Sequence, residues 1–508
     1  MNGQYAALLI AIPLISAFFV PLIKRAGRKA ILSYVIAVTV VQMVVASWVF
    51  RRVYTTGKPI IVMAGGWKPP VGINLYIGYF AALFILIVAI ASFLMAIFNL
   101  RAMKTEPLDK YAMLFLLLML GATGMIATGD IFNLFVFMEI TSITAYALVA
   151  YNKTGEAAEA SMKYMILGGI GSSFFLIGIA LIYGATGTLN MAQLAQFAGL
   201  VNSTVVQAAL ALLIFGLAVE AEIFPLNAWA PDAYQASPHP ITAMFAAFVV
   251  KAGLYAMVRI LFLFQASSGW SGIMKLLVMM ATLTVIFGEF SALRQRDVKR
   301  MVAYSSISQI GLAAFGFALV GKAGVSTGVA SLAVSAAVFH MLNHAIVKLL
   351  LFLAVGYVAI ALGGTKLENF KGLGRRMPVT AFSITIAAFA VVGVPMFNVF
   401  WSKVKLLIAG VEAGYTWSVF LILGASVVEA VYYFRLVHTM WFSGEDVNEK
   451  ISESVPIMVM MLALVAVIIY IGLYPNTVWH VVQKAGSDLL NVGSYVKHVP
   501  LINVGVRP

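Results

Sequence analysis

The sequence predicts an all-α polytopic membrane protein that crosses the bilayer about 14 times. Of its 508 residues, 62% are hydrophobic and only 10% are charged, whereas soluble domains carry roughly 25% charged residues. Apolar runs of spanning length also recur from one end of the chain to the other. Fourteen spans of about 20 residues occupy roughly 280 residues and leave room for connecting loops. These observations exclude a soluble globular protein.

The predicted spans follow the apolar runs in order. They are 4–23, 30–50, 73–100, 110–128, 131–151, 161–183, 203–224, 241–264, 270–292, 301–320, 326–361, 377–410, 414–440 and 455–475. The first run is read as a retained helix, because no small-residue cleavage site precedes its basic cluster. The eleventh and twelfth runs are too long for one straight span, and Pro225 and Pro395 interrupt the seventh and the twelfth. Broken helices are therefore expected.

Basic residues predict the orientation of the chain. The net charge of +14 would suggest a nucleic-acid partner in a soluble protein, but here Lys and Arg lie in short loops, where they set topology. With the N-terminus outside, 19 of them fall on inner loops, including Lys104, and eight on outer segments, including Arg507. We expect a multi-pass protein of the cell membrane with both termini outside, surrounded by lipid and without a nucleic-acid partner.

The chain contains no cysteine, which excludes disulfides, thiol chemistry, cysteine-ligated iron–sulfur clusters and cysteine-type zinc sites. His340 and His344 have a spacing that suits a metal, but no nearby carboxylate or cysteine completes a zinc set. No metal or cofactor is expected in this chain.

Several charged residues fall inside the predicted spans, where an unpaired charge is costly and marks a functional candidate. Glu139 lies about nine residues into the fifth span, and Glu220 and Glu222 precede Pro225. About ten apolar residues precede Lys251, and Lys403 follows Pro395 by eight residues. The alternatives are a neutral, hydrogen-bonded Glu139, a hydrated kink at the two other glutamates, and lysines that extend to the membrane surface.

A second group lies in the eleventh span, where His340, His344 and Lys348 recur every four residues and share one helical face. Histidine accepts and donates protons near neutral pH, although these two could also be satisfied core residues. Glu429 adds a carboxylate to the thirteenth span, with no partner readable from sequence. Acids and bases spread over at least five spans are typical of a proton relay, whereas a gated pore needs a ring of like residues.

Four segments carry a resemblance to a known family. They are FPLNAWAPDAY at 224–234, DVKRMVAYSSISQIG at 297–311, HMLNHAIVKLLLFLAVG at 340–356 and PMFNVFWSK at 395–403. They resemble the antiporter-like membrane subunits shared by respiratory complex I, Mrp-type cation/proton antiporters and energy-converting membrane-bound hydrogenases. The D-type Mrp protein and its counterpart in the hydrogenases look most similar, because Lys403 stands where some complex I subunits carry glutamate.

The resemblance implies two inverted five-helix repeats with broken seventh and twelfth helices. The expected domains are 1–105 (helices 1–3), 106–265 (helices 4–8), 266–440 (helices 9–13) and 441–508 (helix 14 and the tail). By motif, the implied relay residues are Glu139, Glu220, Lys251, His344 and Lys403, with Glu222, His340, Lys348 and Glu429 as secondary candidates. The family carries lysine at the position of Glu220. Either Glu139 and Glu220 share a proton, or Glu139 has another partner, for which Lys251 is the natural candidate.

The resulting hypothesis is a proton or cation/proton translocating subunit of a larger membrane complex. No catalytic centre is expected in this chain. The implied partners are other antiporter-like and small membrane subunits and a peripheral redox module, whose iron–sulfur or nickel–iron centres lie outside this chain. The alternatives are an autonomous transporter of a small cation and a structural anchor for a redox complex.

Overall fold

The computed structural model describes residues 3–103, 107–199, 204–267, 269–444 and 450–502. Two basic residues of the orientation argument, Lys104 and Arg507, lie outside the described residues, as does the predicted domain boundary at 105–106. The described part of the chain is predominantly helical.

The first half of the chain contains eleven α-helices and one β-hairpin among the described residues. They are α1 (Leu8–Ile23), α2 (Arg28–Thr56), β1 (Ile60–Met63), β2 (Asn74–Ile77), α3 (Tyr79–Ala102), α4 (Leu108–Ala127), α5 (Ile131–Val149), α6 (Gly155–Thr186), α7 (Met191–Phe197), α8 (Thr204–Glu220), α9 (Ala230–Ala236), α10 (His239–Met244) and α11 (Val250–Leu263). A π-helical turn, Phe245–Val249, joins α10 to α11.

The second half continues with ten further helices in the described ranges. They are α12 (Trp270–Leu293), α13 (Val298–Ala318), α14 (Thr327–Leu362), α15 (Leu373–Arg376), α16 (Pro378–Val392), α17 (Asn398–Glu412), α18 (Thr416–Phe442), α19 (Val455–Leu473), α20 (Pro475–Leu490) and α21 (Val492–His498). Across 3–103, 107–199, 204–267, 269–444 and 450–502, twelve helical stretches are long and apolar enough to cross a membrane, and α8 and α16 are shorter apolar helices. This is the architecture of a multi-pass membrane protein.

Two helices are interrupted beside the prolines singled out in the sequence. The first, α8, ends at Glu220, and regular helix resumes only at Ala230, with Pro225 in the gap. The second, α16, ends at Val392 and is followed by α17 from Asn398, with Pro395 in between. Proline has no backbone N–H to continue a helical hydrogen-bond ladder, so both interruptions have a local cause.

The eleventh apolar run corrects one expectation, because it is not broken. It forms a single 36-residue helix, α14, which contains no proline and is about 54 Å long. The hydrocarbon core of a bilayer is only about 30 Å thick, so α14 is tilted or extends beyond it. It packs against α13, α16, α17 and α20 and forms the centre of the second half of the bundle.

Two features of the structure were not predicted. The hairpin pairs β1 and β2 antiparallel, with Ile60 opposite Ile77, immediately before α3. After the last predicted span, where only a tail was expected, the chain forms α20 and α21, and α20 packs against α14 and α3. The C-terminal region is thus part of the folded bundle.

A glycine on α11 sets the distance between that helix and the broken end of α8. A Cβ atom at Gly253 would lie 3.0 Å from the backbone carbonyl carbon of Glu220. Any larger side chain would push these helices apart. The small residue therefore holds the carboxylates at the end of α8 close to α11.

Candidate functional site

The second half of the bundle contains a buried ion pair between two predicted relay residues. Lys403 Nζ lies 2.5 Å from Glu429 Oε2, and the two side chains are 9% and 0% exposed. Gln309 donates a hydrogen bond of 2.8 Å to the other carboxylate oxygen. Lys403 also donates to the Val392 carbonyl at 3.2 Å, which satisfies an acceptor freed where α16 ends. The helix break and the charge pair thus form one unit.

A further carboxylate near this pair was missed by the sequence reasoning. Glu289 on α12 is buried and accepts a hydrogen bond of 2.7 Å from Tyr432. It acts electrostatically on Glu429, so two acids surround Lys403. Glu289 falls inside the predicted ninth span. A complete list of the acidic residues in the predicted spans would have included it.

Lys348 is buried on α14 between these acids and the first half of the bundle. Its ammonium group donates to Val302 O at 3.1 Å, Ser305 Oγ at 2.7 Å and Tyr433 OH at 3.2 Å. No carboxylate of the described residues lies within ion-pair distance of it. Glu429, Glu289 and Glu222 nevertheless act on Lys348 electrostatically. Lys348 is therefore placed between the acids of the two halves.

The two predicted histidines share one face of α14, as their spacing indicated. Their rings are stacked with centroids 6.2 Å apart. His340 Nδ1 lies 3.1 Å from Ser402 Oγ, and His344 Nε2 lies 3.4 Å from Ser306 Oγ. The other nitrogen of each ring is buried and has no hydrogen-bond partner in the described ranges. A serine hydroxyl therefore lies beside one nitrogen of each ring.

Lys251 is completely buried on α11, which excludes a side chain extended to the membrane surface. It donates a short hydrogen bond to the Ala246 carbonyl in the π-helical turn. Such turns occur often at functional sites because they leave carbonyls without a helical partner. The acid that acts on Lys251 is Glu222. The reason is the break after α8, which turns Glu222 towards α11. Pairing of Lys251 with Glu139 was the second of the two alternatives for Glu139.

Glu222 has an unusual conformation within this break. Its backbone is left-handed, with φ of 56°, which is strained for a residue with a side chain. Both carboxylate oxygens are buried, and the Tyr234 hydroxyl faces them. A strained backbone and a buried carboxylate beside a tyrosine hydroxyl thus coincide at Glu222.

The remaining two acids form a pair at the edge of the site. Glu220 is buried at the end of α8 and accepts a hydrogen bond of 2.8 Å from Ser142 on α5. Glu139 on α5 faces Ser172 on α6 and is partly exposed at the surface of the chain. The two carboxylates interact electrostatically, and neither has a basic partner in the described ranges. The structure therefore brings together the acid pair considered from sequence.

Electrostatic interactions connect these groups from one half of the bundle to the other. Lys251 acts on both histidines, Lys348 acts on His344, and Lys403 acts on His340. All nine predicted residues, together with Glu289, thus lie along one connected line from Glu139 to Lys403. Among the described residues, no group of three or more His, Asp or Glu side chains is placed to hold a metal ion.

A cluster of ion pairs holds α9 at one end of this line. Asp232 pairs with Lys163 at 2.8 Å and with Arg300 at 2.5 Å. Beside them lies a cavity of about 280 Å³, lined by Glu156, Glu159, Lys163, Asp232, Gln235 and Arg300 among others. Tyr234, which faces Glu222, is two residues from Asp232 on the same short helix. The surface cluster therefore positions a member of the buried site.

Comparison with known proteins places this arrangement in a family. Residues 128–429 match the family described as "NADH:quinone oxidoreductase/Mrp antiporter, TM". The chain is 35% identical to the N subunit of the NADH-quinone oxidoreductase of Desulforudis audaxviator, covering 87% of this chain and 88% of that protein. It is 29% identical to the D subunit of the Na⁺/H⁺ antiporter of Bacillus subtilis, covering 98% and 99%.

Solved structures agree with this placement. A chain of the membrane-bound sulfane sulfur reductase, an archaeal respiratory membrane complex, superimposes with a TM-score of 0.93 and is 66% identical, covering 98% of this chain and all of that one. A chain of the Mrp complex from Dietzia sp. DQ12-45-1b gives a TM-score of 0.86 at 26% identity, covering 97% and 99%. These relatives are subunits of multisubunit membrane complexes. The chain belongs to the NADH:quinone oxidoreductase/Mrp antiporter transmembrane family and is an antiporter-like subunit of such a complex.

Proposed function

We propose that this chain is the proton-translocating subunit of a membrane-bound redox complex of the sulfane sulfur reductase type. The sequence identity of 66% to the sulfane sulfur reductase chain, over 98% of this chain, supports this type of complex. The matched subunits of complex I and of Mrp antiporters are only 24–35% identical. Redox centres would lie in other subunits of the complex. The single observation that carries the translocation itself is the electrostatically connected line of acids, lysines and histidines, buried except at Glu139, between the two halves of the bundle.

The charge pairs suggest how protons move along this line. A proton that arrives on Glu429 removes the negative charge that holds the Lys403 ammonium ion, so the state of one residue controls the other. In the first half of the bundle, the protonation state of Glu222 likewise controls the charge of Lys251. Between them, the histidines and Ser306 and Ser402 can both accept and donate protons. Each proton that enters the line is balanced by one that leaves at its other end.

We infer fourteen spans arranged as two inverted repeats, with α8 and α16 as the first parts of the broken seventh and twelfth helices. An internal correspondence supports the repeats. Asp130 caps α5 through the N–H of Asn133 and pairs with Asn190, and Asp297 caps α13 through the N–H of Arg300 and pairs with Lys366. Both caps use the same offset of three residues, and in this alignment Ser306 occupies the position of Glu139. The proposed domains are again 1–105, 106–265, 266–440 and 441–508.

The proposed setting is the cell membrane, with both termini on the outer side as the basic loops favour. In this orientation the cluster of Lys163, Asp232 and Arg300 faces inward, and the hairpin and α20 face outward. Glu139 is partly exposed at the side of the chain, where a neighbouring membrane subunit would influence it. This exposure supports charge changes transmitted between subunits.

The test is reconstitution of the intact complex in liposomes that enclose a pH-sensitive dye. Lys403→Ala and Lys251→Ala are each expected to lower proton translocation per electron transferred by about tenfold or more. Lys405→Ala is the matched control, because Lys405 lies on the same helix but packs over the Trp479 ring, 4.1 Å from its centroid. Unchanged translocation in both relay variants would indicate an anchor, and transport by the isolated chain would indicate an autonomous transporter.

A further inference from the structure

Two adjacent serines on α13 face different groups of the buried site. Neighbouring residues of an α-helix point about 100° apart, so their side chains reach different partners. Ser306 lies beside the His344 ring, 3.4 Å from its Nε2 atom. Ser305 is completely buried and contacts Lys348. The pair therefore connects α13 to two separate members of the row on α14.

All three N–H groups of the Lys348 ammonium ion have an acceptor, and one of these acceptors is Ser305. They are the Val302 carbonyl at 3.1 Å, the Ser305 hydroxyl at 2.7 Å and the Tyr433 hydroxyl at 3.2 Å. The contact with Ser305 is the shortest of the three. The Tyr433 hydroxyl in turn donates to Ser305 at 3.0 Å. Both side chains that accept from Lys348 therefore meet at Ser305.

The number of hydrogen bonds that a serine can make fixes the direction of its own O–H group. A hydroxyl offers one donor and two acceptor lone pairs. Lys348 and Tyr433 occupy both lone pairs of Ser305, so its O–H is left to donate to another group. The Glu429 carboxylate and the Tyr432 hydroxyl both lie within hydrogen-bonding range of Ser305. A charged carboxylate is the stronger acceptor of the two, so Ser305 donates to Glu429.

No direct contact joins Lys348 to Glu429. The two groups attract each other electrostatically, but they do not form an ion pair in the part of the chain that the structure describes. Glu429 instead holds Lys403 with one oxygen and accepts from Gln309 with the other. Each carboxylate oxygen has two lone-pair sites, which leaves room for Ser305 as well. Every hydrogen-bonded path from Lys348 to Glu429 in the described ranges therefore passes through Ser305.

We propose that Ser305 is the proton-transfer bridge between Lys348 and Glu429. The inference rests on the proposed function, because it assigns one step of that relay. An N–H bond of Lys348 breaks as its proton moves to the Ser305 Oγ atom. At the same time the O–H bond of Ser305 breaks, and that proton moves to the Glu429 carboxylate. Lys348 and Glu429 both become neutral, and Ser305 remains a hydroxyl.

This step couples Lys348 to the ion pair at Lys403, which it does not touch. The transfer removes one positive and one negative charge together, so the net charge of the buried site is unchanged. Glu429, once neutral, no longer holds the Lys403 ammonium ion, which is then free to release its proton. A serine suits this position because it accepts and donates a proton in one movement. It also adds no charge that would have to be paired inside the bundle.

The first test compares Ser305→Ala with Lys403→Ala in the reconstituted complex. Alanine removes the hydroxyl and little else, so proton translocation per electron is expected to fall about tenfold or more. Ser383→Ala is the matched control, since that buried hydroxyl donates to its own helix at Val379, 2.8 Å away. Normal translocation in Ser305→Ala with loss in Lys403→Ala would overturn the bridge alone. Normal translocation in both variants would overturn the proposed function as well.

Tyr433→Phe separates the bridge from the other hydroxyl that accepts from Lys348. Phenylalanine keeps the ring and leaves the path from Lys348 through Ser305 to Glu429 in place. Translocation is therefore expected to fall by less than about threefold, since no group that carries the proton is lost. A fall as large as that of Ser305→Ala would overturn the assignment to Ser305.

Infrared difference spectra separate proton transfer from a structural role of Ser305. A carboxylic acid absorbs at a different frequency from a carboxylate, so protonation of Glu429 during turnover gives a band that Glu429→Gln lacks. This band is expected to disappear in Ser305→Ala and to persist in Ser383→Ala. A Glu429 band of normal size in Ser305→Ala would overturn the bridge, whatever the effect of that substitution on stability.

Discussion

Lys403 on α17 and Glu429 on α18 form a buried ion pair, with 2.5 Å between Nζ and Oε2. The same ammonium group closes the open carbonyl end of α16. One residue therefore serves both the charge pair and the broken helix. Removing one of the two charges leaves the other buried without a partner, which costs folding free energy. Removing both charges leaves no unpaired charge in the bundle.

We therefore expect the double variant to recover the stability that each single variant loses, but not to recover transport. Lys403→Met or Glu429→Gln alone should destabilise the subunit by about 3–5 kcal/mol. The double variant should regain most of this stability but should not translocate protons. Thermal unfolding of the purified complex and dye-detected translocation are the measurements. A double variant less stable than either single one would contradict a charge-pair role.

The second prediction concerns the acid that partners Lys251. Lys251→Met and Glu222→Gln are expected to be non-additive, with a coupling free energy of at least about 0.5 kcal/mol, because their side chains interact. Lys251→Met and Glu139→Gln should add to within roughly 0.5 kcal/mol. Both cycles are measured by thermal stability of the intact complex. Coupling to Glu139 in place of Glu222 would favour the alternative in which Lys251 is the partner of Glu139.

The serine hydroxyls beside the histidines provide a third prediction. Ser402→Ala and Ser306→Ala remove the hydroxyl groups that lie within hydrogen-bond distance of the His340 and His344 rings. Proton translocation should fall about threefold to tenfold while assembly is kept, since a hydroxyl that relays a proton is lost. Ser426→Ala on α18 is the control, because that hydroxyl bonds its own helix at Ile422. Equal effects of all three substitutions would indicate a packing defect.

The ion cluster at Asp232 predicts a dependence of stability on acidity. Burial pushes the pKa of Asp232 up, but Lys163 and Arg300 outweigh burial and hold it below the usual value. A lowered pKa in the folded state contributes stability above the unfolded value of about 3.9, and this contribution is lost as the pH falls through the folded value. The size is below about 1 kcal/mol, because the cluster is partly exposed.

Asp232→Asn should therefore be slightly less stable than the wild type at pH 7, and the difference should disappear as the pH falls below about 4. Melting temperatures measured between pH 7 and pH 3 test this. Glu156→Gln, next to the same cavity but outside the ion pairs described, is the control. A difference that does not shrink as the pH falls towards 3 would show that the charge of Asp232 is not its source.

The sequence predicted the membrane class, the breaks at Pro225 and Pro395 and the buried row on α14, because each follows from local hydrophobicity, proline or helical period. It predicted a break in α14 from the length of the apolar run, but α14 is one continuous helix, since length alone does not break a helix. It left the partner of Glu139 open between Glu220 and Lys251, and it did not name Glu222 as the acid beside Lys251. That pairing depends on the left-handed turn at Glu222, and no local pattern specifies where a broken helix directs its last side chains. Glu289 and the packing of α20 depend likewise on contacts between distant parts of the chain.

The shortness of α16 has a consequence for how the protein is made. Its 15 residues reach about 22 Å, less than the roughly 30 Å of hydrocarbon that a newly inserted segment must cross. On its own, α16 would leave its last carbonyl groups in lipid without partners. It can settle in the bilayer only once α17 has been synthesised and the Lys403 ammonium group has reached Val392. We therefore expect α16 to integrate stably into the bilayer only together with α17.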